Sequence, residues 1–159
     1  MDYQFCPICG EKLERDQHTG YPRCATGHYA FLPWQNVGVA AVVFKDNAVL
    51  LEQRAFGSAY GFWALPGGML EFNEQTDEAC VREVLEETGI RVEIRELLGV
   101  IGGRKVCIIF YEAKPVGGNL AKSEESLNVK WFSFDNIPWD QMAFPRHTQV
   151  LREWVLNHS

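Results

Sequence analysis

Residues 68–90 read GMLEFNEQTDEACVREVLEETGI, and within this stretch a loop pattern gives way to a helical one. The preceding segment, residues 57–68, contains several Gly residues and a Pro, which predicts a loop. From Glu74 to Thr88 the polarity follows a helical period, and Gly89 is a typical residue for ending a helix. We therefore expect a Gly-rich loop followed by one amphipathic helix.

The predicted helix is strongly acidic on one face. At about 100° per residue, Glu83, Glu86 and Glu87 fall together on this face. The apolar residues expected on the opposite, buried face are Val81, Val84 and Leu85. Neighbouring carboxylates repel each other, and a bound cation would relieve that repulsion. Carboxylate oxygens suit Mg²⁺ or Mn²⁺, although an isolated acidic face is more often simply solvated.

The residues around this acidic face match a longer pattern. Every specified position of the Nudix box, G-x5-E-x7-R-E-U-x-E-E-x-G-U with U aliphatic, is present over 23 residues. The matching positions are Gly68, Glu74, Arg82, Glu83, Val84, Glu86, Glu87, Gly89 and Ile90. The chain therefore resembles the Nudix hydrolases. The resemblance implies an α/β fold, a Nudix-type α/β/α sandwich with a mixed sheet.

The resemblance also implies the hydrolysis of a nucleoside diphosphate linked to another moiety. It assigns the catalytic Mg²⁺ or Mn²⁺ ions to Glu83, Glu86, Glu87 and the main-chain carbonyl of Gly68, and it gives Arg82 and Glu74 the role of holding the loop and the helix together. Such ions neutralise the pyrophosphate and lower the pKa of a bound water, so that water can attack phosphorus near neutral pH.

A further carboxylate from outside the box often completes sites in this family. Glu125 lies six residues before Trp131-Phe132, and we expect it to be a metal ligand or the general base. Glu124 is the alternate, and a merely solvated loop here is an equally good interpretation. Which carboxylate acts as the base stays open, because coupled carboxylates titrate together.

Candidate substrate contacts are harder to identify from single residues. Arg54 and Arg104 are candidates for binding phosphate, as is Lys105, although each could be an ordinary surface charge. Phe62 and Trp63 precede the Gly-rich loop and could stack on a base. Packing in the core is at least as good an interpretation for Trp63.

The rest of the chain after residue 36 alternates between β patterns and turns. A hairpin is predicted first, and three strands and a second helix follow the box. The predicted elements are a hairpin of residues 37–44 and 48–51, strands at 91–101, 105–112 and 128–134, and a helix at 146–156, with a break at residues 115–118. This order predicts two helices packed on a mixed sheet.

Residues 1–33 differ from the rest in being rich in Cys, Gly, Pro and charge and short of aliphatic runs. Such a segment cannot bury much core and needs a metal or disulfide to hold its shape. We expect two domains, a zinc ribbon over residues 1–33 and a Nudix hydrolase domain over residues 34–159. The ribbon's expected role is structural.

The expected zinc ligands are Cys6, Cys9, Cys24 and His28. Cys6 and Cys9 have the Cys-x2-Cys spacing that lets two thiolates bind one tetrahedral Zn²⁺. Cys24 and His28 would complete the site, with His18 as the alternate fourth ligand. A degenerate, metal-free segment is the competing interpretation.

A zinc ribbon before a Nudix box resembles two groups, the NADH pyrophosphatases and a group of ADP-ribose/FAD pyrophosphatases. The NADH enzymes carry a Ser-Gln-Pro-Trp-Pro-Phe-Pro segment after the box, and residues 97–103 contain none of it. Residues 125–144 instead resemble the ADP-ribose/FAD group. The expected substrate is therefore ADP-ribose or FAD. The alternatives are an NADH/NAD pyrophosphatase, or an inactive nucleotide-binding module whose ribbon recruits a partner.

Composition limits the remaining function classes. The 159 residues are 47% apolar, too many for a disordered chain, and no apolar run is long enough for a membrane span. A net charge of −6 argues against a broad nucleic-acid-binding surface. Without a secretory pattern at the N-terminus, we expect a cytoplasmic enzyme with a small-molecule nucleotide substrate, and a homodimer is one expected assembly.

Overall fold

The structure, a computed structural model, describes residues 3–18, 20–28, 36–103 and 106–158. The chain divides into two compact units, Met1–Trp34 and Gln35–Ser159. No helix in the described parts of the chain is long and apolar enough to cross a membrane.

The described residues of the smaller unit form little apolar core. Its regular structure is a short antiparallel ribbon of β1 (Glu14–Arg15) and β2 (Pro22–Arg23). Several of its large apolar side chains, such as Phe5 and Ile8, are exposed. Two tight turns lie around its cysteines instead, and in the first the amide of Gly10 donates to the carbonyl of Cys6. The described residues of this unit therefore gain little stability from burying apolar surface.

In the larger unit, the described residues form six strands and two α-helices. The strands are β3 (Asn36–Lys45), β4 (Ala48–Arg54), β5 (Trp63–Ala64), β6 (Ile90–Gly102), β7 (Val106–Gly118) and β8 (Ser126–Ser133). The helices are α1 (Thr76–Thr88) and α2 (Pro145–His158). Short 3-10 turns occur at Gly57–Ala59, Phe134–Asn136 and Trp139–Gln141.

These strands form one mixed sheet. Its order is β5-β4-β3-β7-β6, and β8 pairs with β4 outside this path. The pairing of β3 with β7 is parallel, with Val39 opposite Ile109, and the other pairings are antiparallel. A parallel neighbour requires a long crossover, and the box helix lies within that connection.

The side chains of β3 alternate between two cores because successive residues of a strand point to opposite faces. Val39, Ala41 and Val43 pack in one cluster with the α1 residues Ala79, Cys80 and Val84. Ala40 and Val42 pack in a second cluster with the α2 residues Val150, Leu151 and Trp154. Each face of the sheet is thus covered by one helix, and the predicted α/β/α sandwich is confirmed.

Three local expectations were wrong. Helix α1 begins at Thr76 rather than near Glu74. Leu85 is 41% exposed, because the face that meets the sheet carries Ala79, Cys80, Val84 and Thr88. Strand β7 continues through Pro115, where a break was expected. The pairing with β3 ends at Ala113, so Pro115 lies where the missing amide costs no bond to β3.

Candidate active site

The Gly-rich loop before α1 is held against β3 by backbone hydrogen bonds. The amide of Val39 donates to the carbonyl of Gly68 (2.9 Å), and the amide of Ala41 donates to the carbonyl of Pro66 (2.9 Å). A strand buried on both faces therefore fixes the position of the loop. This support is the kind of rigid framework that a reactive site requires.

Two glycines in this loop allow unusually close backbone approaches. Gly67 has φ +154°, and a Cβ there would overlap the carbonyl of Val39. A Cβ at Gly68 would overlap the carboxylate of Glu83. Only glycine, which lacks a Cβ, brings the loop this close to both the strand and the helix.

Among Glu83, Glu86 and Glu87, the three carboxylates of the acidic face, Glu87 is the most deeply buried, at 7% exposure. Its Oε2 accepts a hydrogen bond of 2.7 Å from the amide of Gly67. Burial, together with the negative charges of Glu52 and Glu83, raises the pKa of Glu87 to about 9. Ionising Glu87 is therefore costly unless a cation lies beside it.

Glu83 and Glu86 lie about one turn apart on the same helix and differ in burial. Glu83 is partly buried, and burial with the charges of Glu86 and Glu125 raises its pKa against the lowering effect of Arg82. Glu86 is the most exposed of the three carboxylates. The three side chains thus run from a buried to an exposed position on one face of α1.

Arg82 connects the loop to the helix. Its Nε and Nη2 donate to the two carboxylate oxygens of Glu74 at 2.7 and 2.9 Å. It also donates to Glu83 Oε1 (2.9 Å) and to the carbonyl of Met69 (3.3 Å). The guanidinium holds the pKa of Glu74 below its usual value. This geometry agrees with the bracing role expected for Arg82 and Glu74.

A cavity of about 1130 Å³ lies in front of these groups. Drug-sized ligands occupy pockets of about 300–1,000 Å³, so this cavity has room for a nucleotide. The predicted site residues that line it are Arg54, Gly68, Glu83, Glu86, Glu87, Glu124 and Glu125. The structure therefore brings together residues that are up to 71 positions apart in the sequence. Arg104 and Lys105 lie outside the described residues.

Trp63 does not line this cavity. It is 7% exposed, belongs to the core cluster on the α2 face, and packs edge-on against Phe132 with ring centroids 4.7 Å apart. The structure thus favours the packing interpretation over the expected substrate contact. Phe62 is exposed but is also not among the lining residues.

Arg54 lies at the end of β4, and its guanidinium carbon lies 4.5 Å from the ring centroid of Phe56 and 5.1 Å from that of Phe144. Its Nη1 is 3.7 Å from Glu52 Oε1. Its Nε is buried and has no hydrogen-bond partner among the described residues. Arg54 therefore presents a positive charge and a free donor at the cavity wall, as a residue that binds anionic oxygens would.

Glu52 is a buried carboxylate that acts electrostatically on Glu87 without lining the cavity, and the sequence interpretation missed it. It is 1% exposed and accepts a 2.7 Å hydrogen bond from Ser126 Oγ. Burial, with the charges of Glu125 and Glu83, raises its pKa, partly offset by Ser126 and Arg54. The available signal was a carboxylate that directly follows the apolar run 48–51, and a carboxylate buried there needs a partner.

The carboxylates are suited to bind a divalent cation. Glu83 and Glu87 both have raised pKa values, caused chiefly by burial and also by neighbouring carboxylates. A cation at this position would remove that electrostatic cost, and carboxylate oxygens are the ligands that Mg²⁺ and Mn²⁺ prefer. The carbonyl of Gly68 already accepts the amide of Val39, which leaves it one lone pair for a metal.

A second group of metal-ligand side chains lies in the smaller unit. The ligand atoms of Cys6, Cys9, Cys24 and His28 all lie within 4.8 Å of one another. Cys24 Sγ is 2.9 Å from the hydroxyl of Thr26, and this bond is the main cause that lowers the pKa of Cys24 to about 7. Such a set of three thiols and one imidazole matches the ligands of structural Zn²⁺. His18, the alternate, is not part of this group.

Comparisons with known proteins agree with this geometry. Residues 34–154 match the family described as the NUDIX domain. The chain is 41% identical over 107 residues to a MutT-like protein of Streptomyces ambofaciens, covering 66% of this chain and 68% of that protein. It is 32% identical over 126 residues to an ADP-ribose pyrophosphatase of Methanocaldococcus jannaschii, covering 75% of this chain and 72% of the relative.

A solved structure extends the likeness to nearly the whole chain. The crystal structure of a NUDIX hydrolase from Nitrosomonas europaea superposes with a TM-score of 0.88 at 32% identity. It covers 98% of this chain and 92% of that one. Together with the family match, these comparisons establish that the chain belongs to the Nudix hydrolase family, whose members act on nucleoside diphosphates linked to another moiety.

Proposed function

We propose that this chain is a Mg²⁺- or Mn²⁺-dependent pyrophosphatase that hydrolyses ADP-ribose or FAD. The observation that carries the proposal is the convergence of Glu83, Glu86 and Glu87 on one cavity of nucleotide size. The relative from Methanocaldococcus jannaschii is an ADP-ribose pyrophosphatase, which favours ADP-ribose within this substrate class.

Glu83, Glu86, Glu87 and the carbonyl of Gly68 would hold the divalent ions. When bound, such ions neutralise the pyrophosphate and lower the pKa of water, so that water can attack phosphorus. Glu87 is oriented for this role by the amide of Gly67, which fixes one of its oxygens. Arg82 keeps Glu83 close to the loop through its 2.9 Å hydrogen bond.

Residues outside the box would act on water and on the substrate. Glu125 would be a further metal ligand or the general base, with Glu124 as the alternate; both line the cavity. Arg54 would bind phosphate oxygens through its buried, unpartnered Nε. Arg104 remains a proposed phosphate contact.

In the smaller unit, Cys6, Cys9, Cys24 and His28 would bind one structural Zn²⁺. Residues 1–33 would then form a zinc ribbon and residues 34–159 the Nudix hydrolase domain. The sparse apolar core of the smaller unit supports a structural role, because metal binding can supply the folding free energy that burial does not.

The test is a panel assay of the full chain with Mg²⁺ or Mn²⁺ against ADP-ribose, FAD, NADH, a diadenosine polyphosphate and nucleoside triphosphates, with products separated by chromatography. AMP released from ADP-ribose or FAD supports the proposal. Preference for NADH would replace the substrate while keeping the site. Nucleotide binding without product would favour the non-catalytic module.

A pair of variants tests whether the activity depends on these carboxylates. Glu87→Gln removes the charge of the buried ligand at nearly constant volume and should lower kcat by more than about 100-fold. Glu78→Gln makes the same change on an exposed position of α1 outside the cavity and should leave kcat unchanged. Full activity in Glu87→Gln would refute the assignment.

A further inference from the structure

His147 is a buried histidine in the wall of the candidate active site. It lies in the first turn of α2, is 5% exposed, and lines the same cavity as the box carboxylates. Its ring packs edge-on against Phe110, with centroids 5.3 Å apart, and lies 5.0 Å from Phe144. Two aromatic contacts therefore fix the plane of the imidazole.

The ring has an unsatisfied polar atom. Nδ1 of His147 is buried and has no hydrogen-bond partner among the described residues. Buried polar atoms in native proteins nearly always have a partner, and the exceptions often mark functional groups. The other buried side-chain nitrogen without a partner in the described parts of the chain is Nε of Arg54, which lines the same cavity. Both unpaired atoms therefore belong to residues of one cavity wall.

The charge state of the ring limits the kind of partner. Burial, together with the positive charge of Arg54, lowers the pKa of His147 to about 4. The imidazole is therefore neutral near neutral pH. A neutral imidazole is suited to a hydroxyl or a base nitrogen, whereas Arg54 with its positive charge is suited to anionic oxygens.

We propose that His147 hydrogen-bonds, through Nδ1, a neutral polar group of a nucleoside or sugar in the substrate and so positions the substrate in the cavity. The proposed contact is a single hydrogen bond to an uncharged group. This group lies either on the nucleoside half of the substrate or on the sugar of the other half. This inference rests on the proposed pyrophosphatase function. His147 is a positioning residue and takes no part in proton transfer to or from water.

The first experiment compares His147→Phe with His147→Asn. Phenylalanine keeps the contacts with Phe110 and Phe144 but removes the nitrogen, whereas the amide of asparagine places a hydrogen-bonding group near the position of Nδ1. For ADP-ribose, His147→Phe should raise KM by about tenfold, the loss of one hydrogen bond, with kcat changed less than about twofold. His147→Asn should recover most of this loss.

His158→Phe is the matched control, since it makes the same substitution on the same helix outside the cavity. It should leave KM unchanged. A fall in kcat with unchanged KM in His147→Phe, or an equal loss in the Phe and Asn variants, would overturn the proposal. Circular dichroism of each variant shows whether the fold is intact.

The second experiment measures binding without turnover. Calorimetric titration of wild type and His147→Phe with AMP and with ribose 5-phosphate, each with Mg²⁺, tests the two halves separately. Weaker binding of AMP places the partner on the nucleoside, and weaker binding of ribose 5-phosphate places it on the other sugar. Unchanged binding of both overturns the inference. Absence of turnover in wild type, with binding that still depends on His147, would instead refute the pyrophosphatase proposal.

Discussion

The two groups of metal-ligand side chains offer different ligand atoms. The group in the smaller unit has three sulfurs and one imidazole within 4.8 Å of one another. The group beside the Gly-rich loop has carboxylate oxygens that line a cavity of about 1130 Å³. Four protein ligands complete a tetrahedral site, whereas carboxylates on a cavity wall leave positions for water and substrate. The difference separates a candidate structural metal from a candidate catalytic one.

Removing Mg²⁺ and Mn²⁺ should have the largest effect on turnover. It should also distinguish the two groups of metal ligands most clearly. Dialysis into buffer without Mg²⁺ and Mn²⁺ should lower turnover by more than about 1,000-fold, and adding either ion back should restore it. Zinc should stay bound through the dialysis, because thiolate sites hold it far more tightly than carboxylates hold Mg²⁺. Turnover and metal content by mass spectrometry are measured on the same samples. Turnover that returns only with Zn²⁺ would contradict this assignment.

The next prediction tests the composition of the Cys/His group with a pair of histidine variants. His28→Ala removes one of the four clustered ligands and should weaken zinc binding by at least about 100-fold. His18→Ala should leave it unchanged, because His18 lies outside the group. Zinc affinity is measured by competition with a chromophoric chelator. The reverse result would make His18 the fourth ligand.

Glycine substitutions contrast the scaffolds of the two groups. Gly67→Ala would place a Cβ against the carbonyl of Val39 and should lower the free energy of unfolding of the larger unit by about 2–4 kcal/mol. Gly10 in the smaller unit also has positive φ, but a Cβ there meets nothing within 4 Å. Gly10→Ala should therefore cost only about 1–2 kcal/mol, the cost of the left-handed backbone alone. Denaturation followed by tryptophan fluorescence measures both, and equal effects would contradict the tight packing of the loop.

The smallest effect is expected from the buried histidine, which contrasts with the exposed His28. Well above pH 6.5, the ordinary pKa of histidine, His147 is neutral in both the folded and the unfolded chain. As the pH falls from 6.5 toward 4, the unfolded chain binds a proton that the folded chain, with burial and Arg54 beside the ring, does not bind, so stability decreases.

This loss is at most about 3 kcal/mol, corresponding to the depressed pKa of His147. His147→Phe should remove it, which would be seen as a shallower decrease of the free energy of unfolding between pH 6.5 and 4. Denaturant titrations at several pH values measure the difference. If the free energy of unfolding fell in parallel for wild type and variant, His147 would bind a proton in the folded chain as readily as in the unfolded chain, which would contradict the prediction.

The sequence predicted the parts of the site that depend on local spacing. The carboxylates Glu83, Glu86 and Glu87 share a face because they lie within one helical turn, and Gly89 ends α1 with a φ of 73°. Such features need no knowledge of the rest of the chain. The order of the main strands along the chain was also largely predicted, because β-branched runs and turn residues alternate clearly.

The errors concern contacts between distant residues. Nothing near Glu52 indicates that Ser126 will lie 2.7 Å from its carboxylate, 74 positions later in the chain. His147 is a single histidine in a helical pattern, and its burial depends on Phe110 in a different strand. Leu85 was assigned to the wrong face because the period of a helix does not specify which side meets the sheet.

The parallel pairing of β3 and β7 also has a consequence for folding kinetics. Val39 and Ile109 are neighbours in the sheet although about 70 residues separate them, so this contact closes a long loop and raises the contact order. The Gly-rich segment and α1 lie inside that loop. The Gly-rich segment and α1 are therefore expected to reach their places beside β3 late, in a slow step that also pairs β3 with β7.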